Sequence, residues 1–415
     1  MRYFLLHSLA LALAFTVAAT AQAETFNWPQ WQGPQRNSLS TETGLMKSWP
    51  DVGPKRRWMF TDCGKGYSGP AVVDGKLYIM GGRNGISEVI ALDADTGSEL
   101  WHTPLGPELQ NDWGNGPRGT PTVDGKFIYV LSGTGTLACL RLTDGQEVWR
   151  VTMESLGGKV PHWGYTESPL VDGDLVLCTP GGAKGSIAAL NKKTGKLVWQ
   201  SADLDDGAHY ASIMPAEFHG QKQYVQLLEK RLVGLDPKSG KLLWQVPWGG
   251  ATAVIPTPII VKGHVFVTSG YGAGCMLVKV DQDNNAEQVY ENKLMKNHHG
   301  GVICLDEHIF GHSDGVGWLC LDLWTGEQVW REKEALGKGA ISYGDGMFYC
   351  LGEEDGAVVL IEASAEGWKE HGRFTLDPQT KIRADRGRIW THPVIVNGRL
   401  YLRDQDLLYC YEVKE

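Results

Sequence analysis

After residue 20 the chain has no long apolar run, no two adjacent cysteines and no excess of positive charge. The first absence excludes a transmembrane helix from the body of the protein. The last, 39 Lys and Arg against 48 Asp and Glu for a net charge of −9, sets the chain against phosphate backbones, so nucleic acid is not an expected partner. The eight cysteines are scattered, and Cys139, Cys320 and Cys410 follow "LA", "WL" and "LY" inside strand-like runs. They read as small buried apolar residues, because a chain of this length folds without staples. Cys63 and Cys275, both in loops, leave one pairing open. No paired Cys spacing of the metal-binding kind occurs.

The one apolar run stands at the start. Arg2, then Leu5 to Ala19, then Ala21-Gln22-Ala23 follow the charged, apolar, small-x-small order of a secretory signal peptide over 1–23. No cysteine follows the cleavage site, so a lipid anchor is not expected there. The protein is expected to be exported, periplasmic or secreted, monomeric and without a membrane span.

What the chain has in plenty is glycine, 53 residues, which suits short strands and tight turns. It is also self-similar. "LDADTGSELW" (92–101), "LRLTDGQEVW" (140–149), "LNKKTGKLVW" (190–199), "LDPKSGKLLW" (235–244) and "LDLWTGEQVW" (321–330) are one motif, with Gly four residues before Trp. "VDQDNNAEQVY" is a sixth copy with Tyr290 in the Trp place, and a degraded seventh is expected to use Phe374. These markers recur every 40 to 50 residues. Each unit carries a second turn upstream, as in "VVDGKLY", "TVDGKFIY" and "IVNGRLY"; Asp-Gly and Asn-Gly between β-rich runs signal hairpins because both residues tolerate positive φ. Four short antiparallel strands per period predict an all-β chain folded as a β-propeller.

The ends fix the number of blades. After Phe374 come three strands, "PVIV", "RLYLR" and "LLYCYEV", and no fourth, while "KRRWMF" (55–60) is an outermost-type strand with Trp58 and no partners before it. Pairing this N-terminal strand with the C-terminal three closes a ring of eight four-stranded blades and leaves no open edge. The expected organisation is a signal peptide over 1–23, an N-terminal wrap rich in Trp and Pro over 24–54, and an eight-bladed propeller over 55–415. The marker tryptophans read as wedges that fill the space where radial sheets splay outward.

The Gly-x-x-x-Trp ending resembles the pyrroloquinoline-quinone-type propeller repeat, found in quinoprotein alcohol dehydrogenases and in BamB-like outer-membrane assembly factors. The resemblance covers 55–415 and rests on five intact copies. "WPQWQGPQRNSLSTETGL" and the stretch from "NHHGG" to "GHSDGVGWLCLDLWTGEQVW" are similar to exported bacterial proteins called PQQ-binding-like. A WD-repeat propeller shares the period, but no unit here ends in Trp-Asp.

In such a ring, whatever precedes the innermost strand of each blade gathers on one rim. Those positions hold Tyr67; Trp113, Asn115 and Arg118; His162, Trp163, Tyr165 and Glu167; His209 and Tyr210; His298 and His299; Lys338; and Trp390 and His392, with only Ile255 from the fifth unit. Loops between the second and third strands open on the same side and add His312, Asp314, Arg403 and Asp404. Polar and aromatic groups converging on a concave mouth are the usual form of a ligand site; the plainer alternative is a cap that satisfies strand ends. Histidines with Asp314 or Glu167 have the chemistry of a metal shell, but His298 and His299 point to opposite faces if extended.

Three functions follow. The first is a non-catalytic exported binding or scaffold protein for a protein loop, a peptide or a polysaccharide. The second is a quinoprotein dehydrogenase, for which the resemblance implies pyrroloquinoline quinone over a Trp floor, a vicinal disulfide, calcium and a catalytic Asp. Trp163 or Trp113 is the candidate floor and Glu167 the candidate carboxylate, and no Cys-Cys pair is present. The third is a polysaccharide lyase, with Tyr165, His162 or His209 as base and Arg118 neutralising a uronate. The first is the expected reading, and the sequence itself requires no cofactor.

Overall fold

Within the strand Lys76–Arg83, Leu77 and Ile79 face one neighbouring sheet while Tyr78 and Met80 face the other, as alternation along a strand requires. A sheet apolar on both faces needs two covering layers. Here each sheet is covered by the sheets before and after it, and the core divides into eight hydrophobic clusters, one between each pair of adjacent blades.

The computed structural model describes residues 25–415, so the leader expected over 1–23 lies outside the described residues. It shows a propeller of eight antiparallel blades. Blade 1 starts at Ala71, and blade 7 ends at Thr375. Blade 8 joins Val394–Val396, Arg399–Asp404 and Leu407–Glu412 to Arg56–Phe60, with Trp58 opposite Cys410. The closing interface packs Ile79 and Ile90 of blade 1 with Tyr401 and Cys410 of blade 8. All eight cysteines are free and seven are buried, so Cys63 and Cys275 are not joined. Among the described residues no helix is long and apolar enough to cross a membrane.

The repeat motif encodes a contact between successive blades. The indole nitrogens of Trp58, Trp149, Trp199 and Trp330 donate to the next blade's turn carbonyls, at Ala94, Lys192, Pro237 and Ser364, over 2.9 to 3.1 Å. The Tyr290 hydroxyl reaches Leu323 O in the same way at 2.9 Å. Glycine in the turn permits the approach: a Cβ on Gly97 or Gly195 would stand 2.7 Å from the ring of Trp58 or Trp149.

Blade 7 departs from the expected pattern. The bulge that precedes the marker in every blade here lies between Glu370 and Gly372, so the marker position, opposite Leu360, falls on Gly372 and carries no ring. Phe374 lies two residues further on, which corrects the expectation that it takes the Trp place. Its ring still meets the turn glycine of blade 8, Gly53, while Trp49 fills the space beside Gly372.

Trp49 belongs to an N-terminal segment that crosses the ring before it reaches the outside. Trp28 exchanges backbone hydrogen bonds with Val72 of blade 1, and the indole of Trp31 donates to Thr257 Oγ1 of blade 5 at 3.0 Å. Arg36 then reaches Ser168 O of blade 3 at 3.0 Å, and Leu39–Ser40 pairs in parallel with the innermost strand of blade 7. Blades 1 and 5, like 3 and 7, stand opposite each other in a ring of eight. The segment therefore spans the channel twice and closes it.

Candidate functional site

Above that crossing, the loops leading into the innermost strands enclose a cavity of about 270 Å³. Tyr67, Trp113, Arg118, Trp163, Tyr210, His298, His299, Trp390 and His392 line it, nine of the rim residues picked out from the sequence. Blade 5 supplies Ile255, as expected, together with Tyr271. The N-terminal segment supplies Trp31 and Gln32.

Six candidate residues stand off the cavity, for reasons of local geometry. From Trp163 the chain turns through Gly164 and then runs extended, so Thr166 and Ser168 face the cavity while Tyr165 and Glu167 point into the blades. Tyr165 packs between blades 2 and 3, and its hydroxyl donates to Pro180 O at 3.0 Å. Glu167 is buried and accepts from the backbone N–H and hydroxyl of Thr179. Burial raises its carboxyl to about 7, against the lowering effect of those bonds and of Arg36. His162 stands edge-on to Trp163 with ring centres 4.6 Å apart, and His209 lies beside Tyr210 and accepts the N–H of Val254 at 3.3 Å. His312 is edge-on to Trp318, and Asp314 accepts from the Lys338 ammonium at 2.8 Å. Two further rim positions are structural. Arg403 is fully buried and donates to the carbonyls of Ser68, Met80 and Gln405, while Asp404 accepts from Arg383 at 2.7 Å.

His298 and His299 do not diverge. The chain bends at His299, and the two rings face each other with centres 3.8 Å apart. His299 in turn stacks on Trp390 at 4.4 Å, and Trp390 donates to Glu353 at 3.0 Å. Lys338 Nζ lies 2.6 Å from His298 Nδ1. An ammonium only donates, so Nδ1 accepts and the imidazole proton sits on Nε2, a buried atom with no partner among the described residues. His392 makes a 2.8 Å bond from Nε2 to His299 O, and its ring packs on Trp31 at 4.7 Å.

These imidazoles are neutral at neutral pH. Burial, with Lys338 adding to it, holds His298 at about 4; burial alone holds His392 at about 4 and is the main cause that keeps His299 well below the usual range. Burial also raises Tyr67, and takes Tyr210 up to about 12. Arg118 lies over the Tyr67 ring at 5.3 Å and donates to Gly116 O at 2.7 Å and Gly114 O at 2.8 Å. The wall is therefore aromatic and largely uncharged, with one guanidinium.

The profile of the family described as "Outer membrane protein assembly factor BamB" matches residues 85–332. The chain belongs to this family of PQQ-type repeat propellers. Outer membrane protein assembly factor BamB of Burkholderia pseudomallei is 24% identical over 385 residues, 89% of this chain and 91% of its own. Among solved structures, BamB from Moraxella catarrhalis superposes with a TM-score of 0.60 at 17% identity, covering 87% of this chain and 98% of that one. Quinohemoprotein alcohol dehydrogenase from Comamonas testosteroni gives 0.63 at 14% identity, covering 94% and 80%. An assembly factor and a dehydrogenase thus share the fold, which leaves function to the site.

The cavity does not fit a calcium-bound quinone. Calcium takes six to eight oxygen ligands, carboxylates prominent among them, and no Asp or Glu lines this wall. Glu167 is sealed behind it, Glu353 is held by Trp390, and Asp314 by Lys338. No vicinal disulfide is available, since every cysteine is free. Among the described residues no three His, Cys, Asp or Glu side chains gather as a metal shell. His308 and His312 have the His-x-x-x-His spacing that joins metal ligands on a helix, but they lie on one extended strand, His308–Ser313, where four residues span roughly 13 Å.

Proposed function

We propose that the protein is an exported binding or scaffold propeller of the BamB type, and that the axial cavity is its ligand site. The observation that carries this reading is the convergence of seven blades and the N-terminal crossing on one aromatic-walled cavity. Its volume lies near the lower end of small-molecule sites, about 300–1,000 Å³. It suits one or two rings or a single side chain, so a peptide or polysaccharide would enter by one residue.

Binding is favoured over proton abstraction by the state of the lining groups. A base works best with a pKa near the working pH. His298 and His392 lie near 4 and Tyr210 near 12, while the one carboxyl near 7, Glu167, is out of reach. The leader-like order of residues over 1–23 supports export.

A thermal-shift screen of small molecules, peptides and oligosaccharides tests the proposal. Hits should lose their effect in Trp163→Ala and Tyr210→Ala variants. Hits indifferent to both, but abolished by Val198→Asp on an exposed outer strand, would move the binding surface to the rim of the blades and overturn it.

A further inference from the structure

We infer that the cavity takes a small aromatic carboxylic acid, its carboxylate on Arg118 and its ring between the aromatic walls. This rests on the binding reading above and adds the chemistry of the ligand.

The charge comes first. The protein carries 48 acidic residues, yet no carboxylate lies within ion-pair distance of Arg118 among the described residues, and none lines the cavity. Two of its N–H groups are held by loop carbonyls, and the other three have no acceptor among the described residues. The two fully buried arginines are provided for: Arg36 lies near Glu167, and Arg403 is ringed by backbone carbonyls. Arg118 is half-buried, and a partly desolvated cation without a counterion is costly; an anion held by charge-assisted hydrogen bonds relieves that cost. At the lip, Arg386 is exposed over the Trp113 ring at 5.7 Å and makes no ion pair among the described residues. It adds a positive field at the entrance that favours anions.

The body of the ligand follows from the walls. Few hydroxyls face the cavity, and four of them already hold the fold together: Ser168 Oγ accepts from Thr120 N, Ser212 Oγ from Ser168 N and Thr257 Oγ1 from Trp31, while the Thr166 hydroxyl donates to Tyr210 O. A sugar acid would bury several hydroxyls against a wall made mostly of rings, at a cost for each one left unmet. A flat ring needs only the aromatic faces of Trp31, Trp163, Tyr210 and Trp390. One unpaired guanidinium and about 270 Å³ select one carboxylate on one or two fused rings.

Calorimetric titration of the full chain with 2-naphthoate, 2-naphthamide, glucuronate and glucose tests this. Naphthoate should bind, and the amide about tenfold or more weakly. Arg118→Gln should erase that difference, and Arg118→Lys should keep part of it. Because Arg118 also braces the Gly114–Gly116 loop, the acid–amide comparison on the unaltered protein stands as the primary readout. Equal binding of acid and amide overturns the inference, as does glucuronate binding tighter than naphthoate. Uncharged hits from the screen that need Trp163 and Tyr210, with no response to any acid, overturn it and leave the binding reading intact. Silence from every compound tested removes both.

Discussion

Trp49 stands where Gly372 has no side chain: a Cβ on Gly372 would lie 2.6 Å from the Cβ of Trp49. The backbone N–H of Trp49 donates to His371 O at 3.0 Å, and its ring meets Tyr349 and Phe374. A residue from outside the repeats thus supplies the wedge that blade 7 lacks. Trp49→Ala should cost about 3–5 kcal/mol, as loss of a buried large aromatic does. Gly372→Trp alone should also destabilise, since two rings would claim one space. The double variant should be more stable than either single one, which urea unfolding measures; additive losses would contradict the assignment.

The crossing segment is latched by Arg36, which donates to Gln30 Oε1, Ser168 O and Pro169 O and lies near the buried Glu167. Arg36→Ala should cost about 2–3 kcal/mol through unmet acceptors. It also leaves Glu167 without its cation, so Glu167→Gln in that background should recover part of the loss. A double-mutant cycle reads the coupling. Strict additivity would show that the two groups do not sense each other.

Acid should weaken the fold. Burial holds His312 and His392 at about 4 against an ordinary 6.5, and His298 lies at about 4 as well. Between pH 6.5 and 4 the unfolded chain takes protons that these folded sites refuse, so stability falls as pH falls through that window. Three carboxyls work the other way: burial takes Glu167 to about 7 from the ordinary 4.5 and also raises Glu42 and Glu353, which adds stability as pH drops toward 4.5. They are outnumbered by the lowered imidazoles, His209, His298, His299, His312 and His392. The melting temperature should fall from pH 7 to pH 4.5, and His392→Gln, which keeps a donor for His299 O, should flatten the fall. A melting temperature that rises over this range would contradict the burial of neutral imidazoles.

Tyr165 separates packing from recognition in the stretch "HWGY" (162–165). Its hydroxyl serves Pro180 O, so Tyr165→Phe should cost about 1 kcal/mol of stability and leave any ligand's affinity unchanged. Loss of affinity without loss of stability would bring Tyr165 into the site.

The blade count, the closure at Trp58 and the gathering of loop residues on one rim were all legible in the sequence, because a repeat fixes register and a ring fixes which ends meet. The direction of single side chains was less so. Strict alternation after Gly164 would have placed Thr166 and Ser168 inward and Tyr165 and Glu167 outward; reading His162, Trp163, Tyr165 and Glu167 as one rim group missed it. The bend that stacks His298 on His299 has no local signal beyond the glycines after it. Trp31 and Gln32 were invisible as cavity residues, since the segment from blade 1 to blade 5 carries no repeat and its path is set by distant contacts. Gly372 was missed because it has no side chain to mark the position: the bulge before the marker recurs in all eight blades, but elsewhere an aromatic residue follows it.

The measurement that bears most directly on the cavity as the binding site is a crystal structure of the protein saturated with a ligand from the screen. Density enclosed by Trp31, Trp163, Tyr210 and Trp390, with an acidic group on Arg118, is the predicted result. A ligand bound on the outer strands, with only solvent above Trp31, would contradict it.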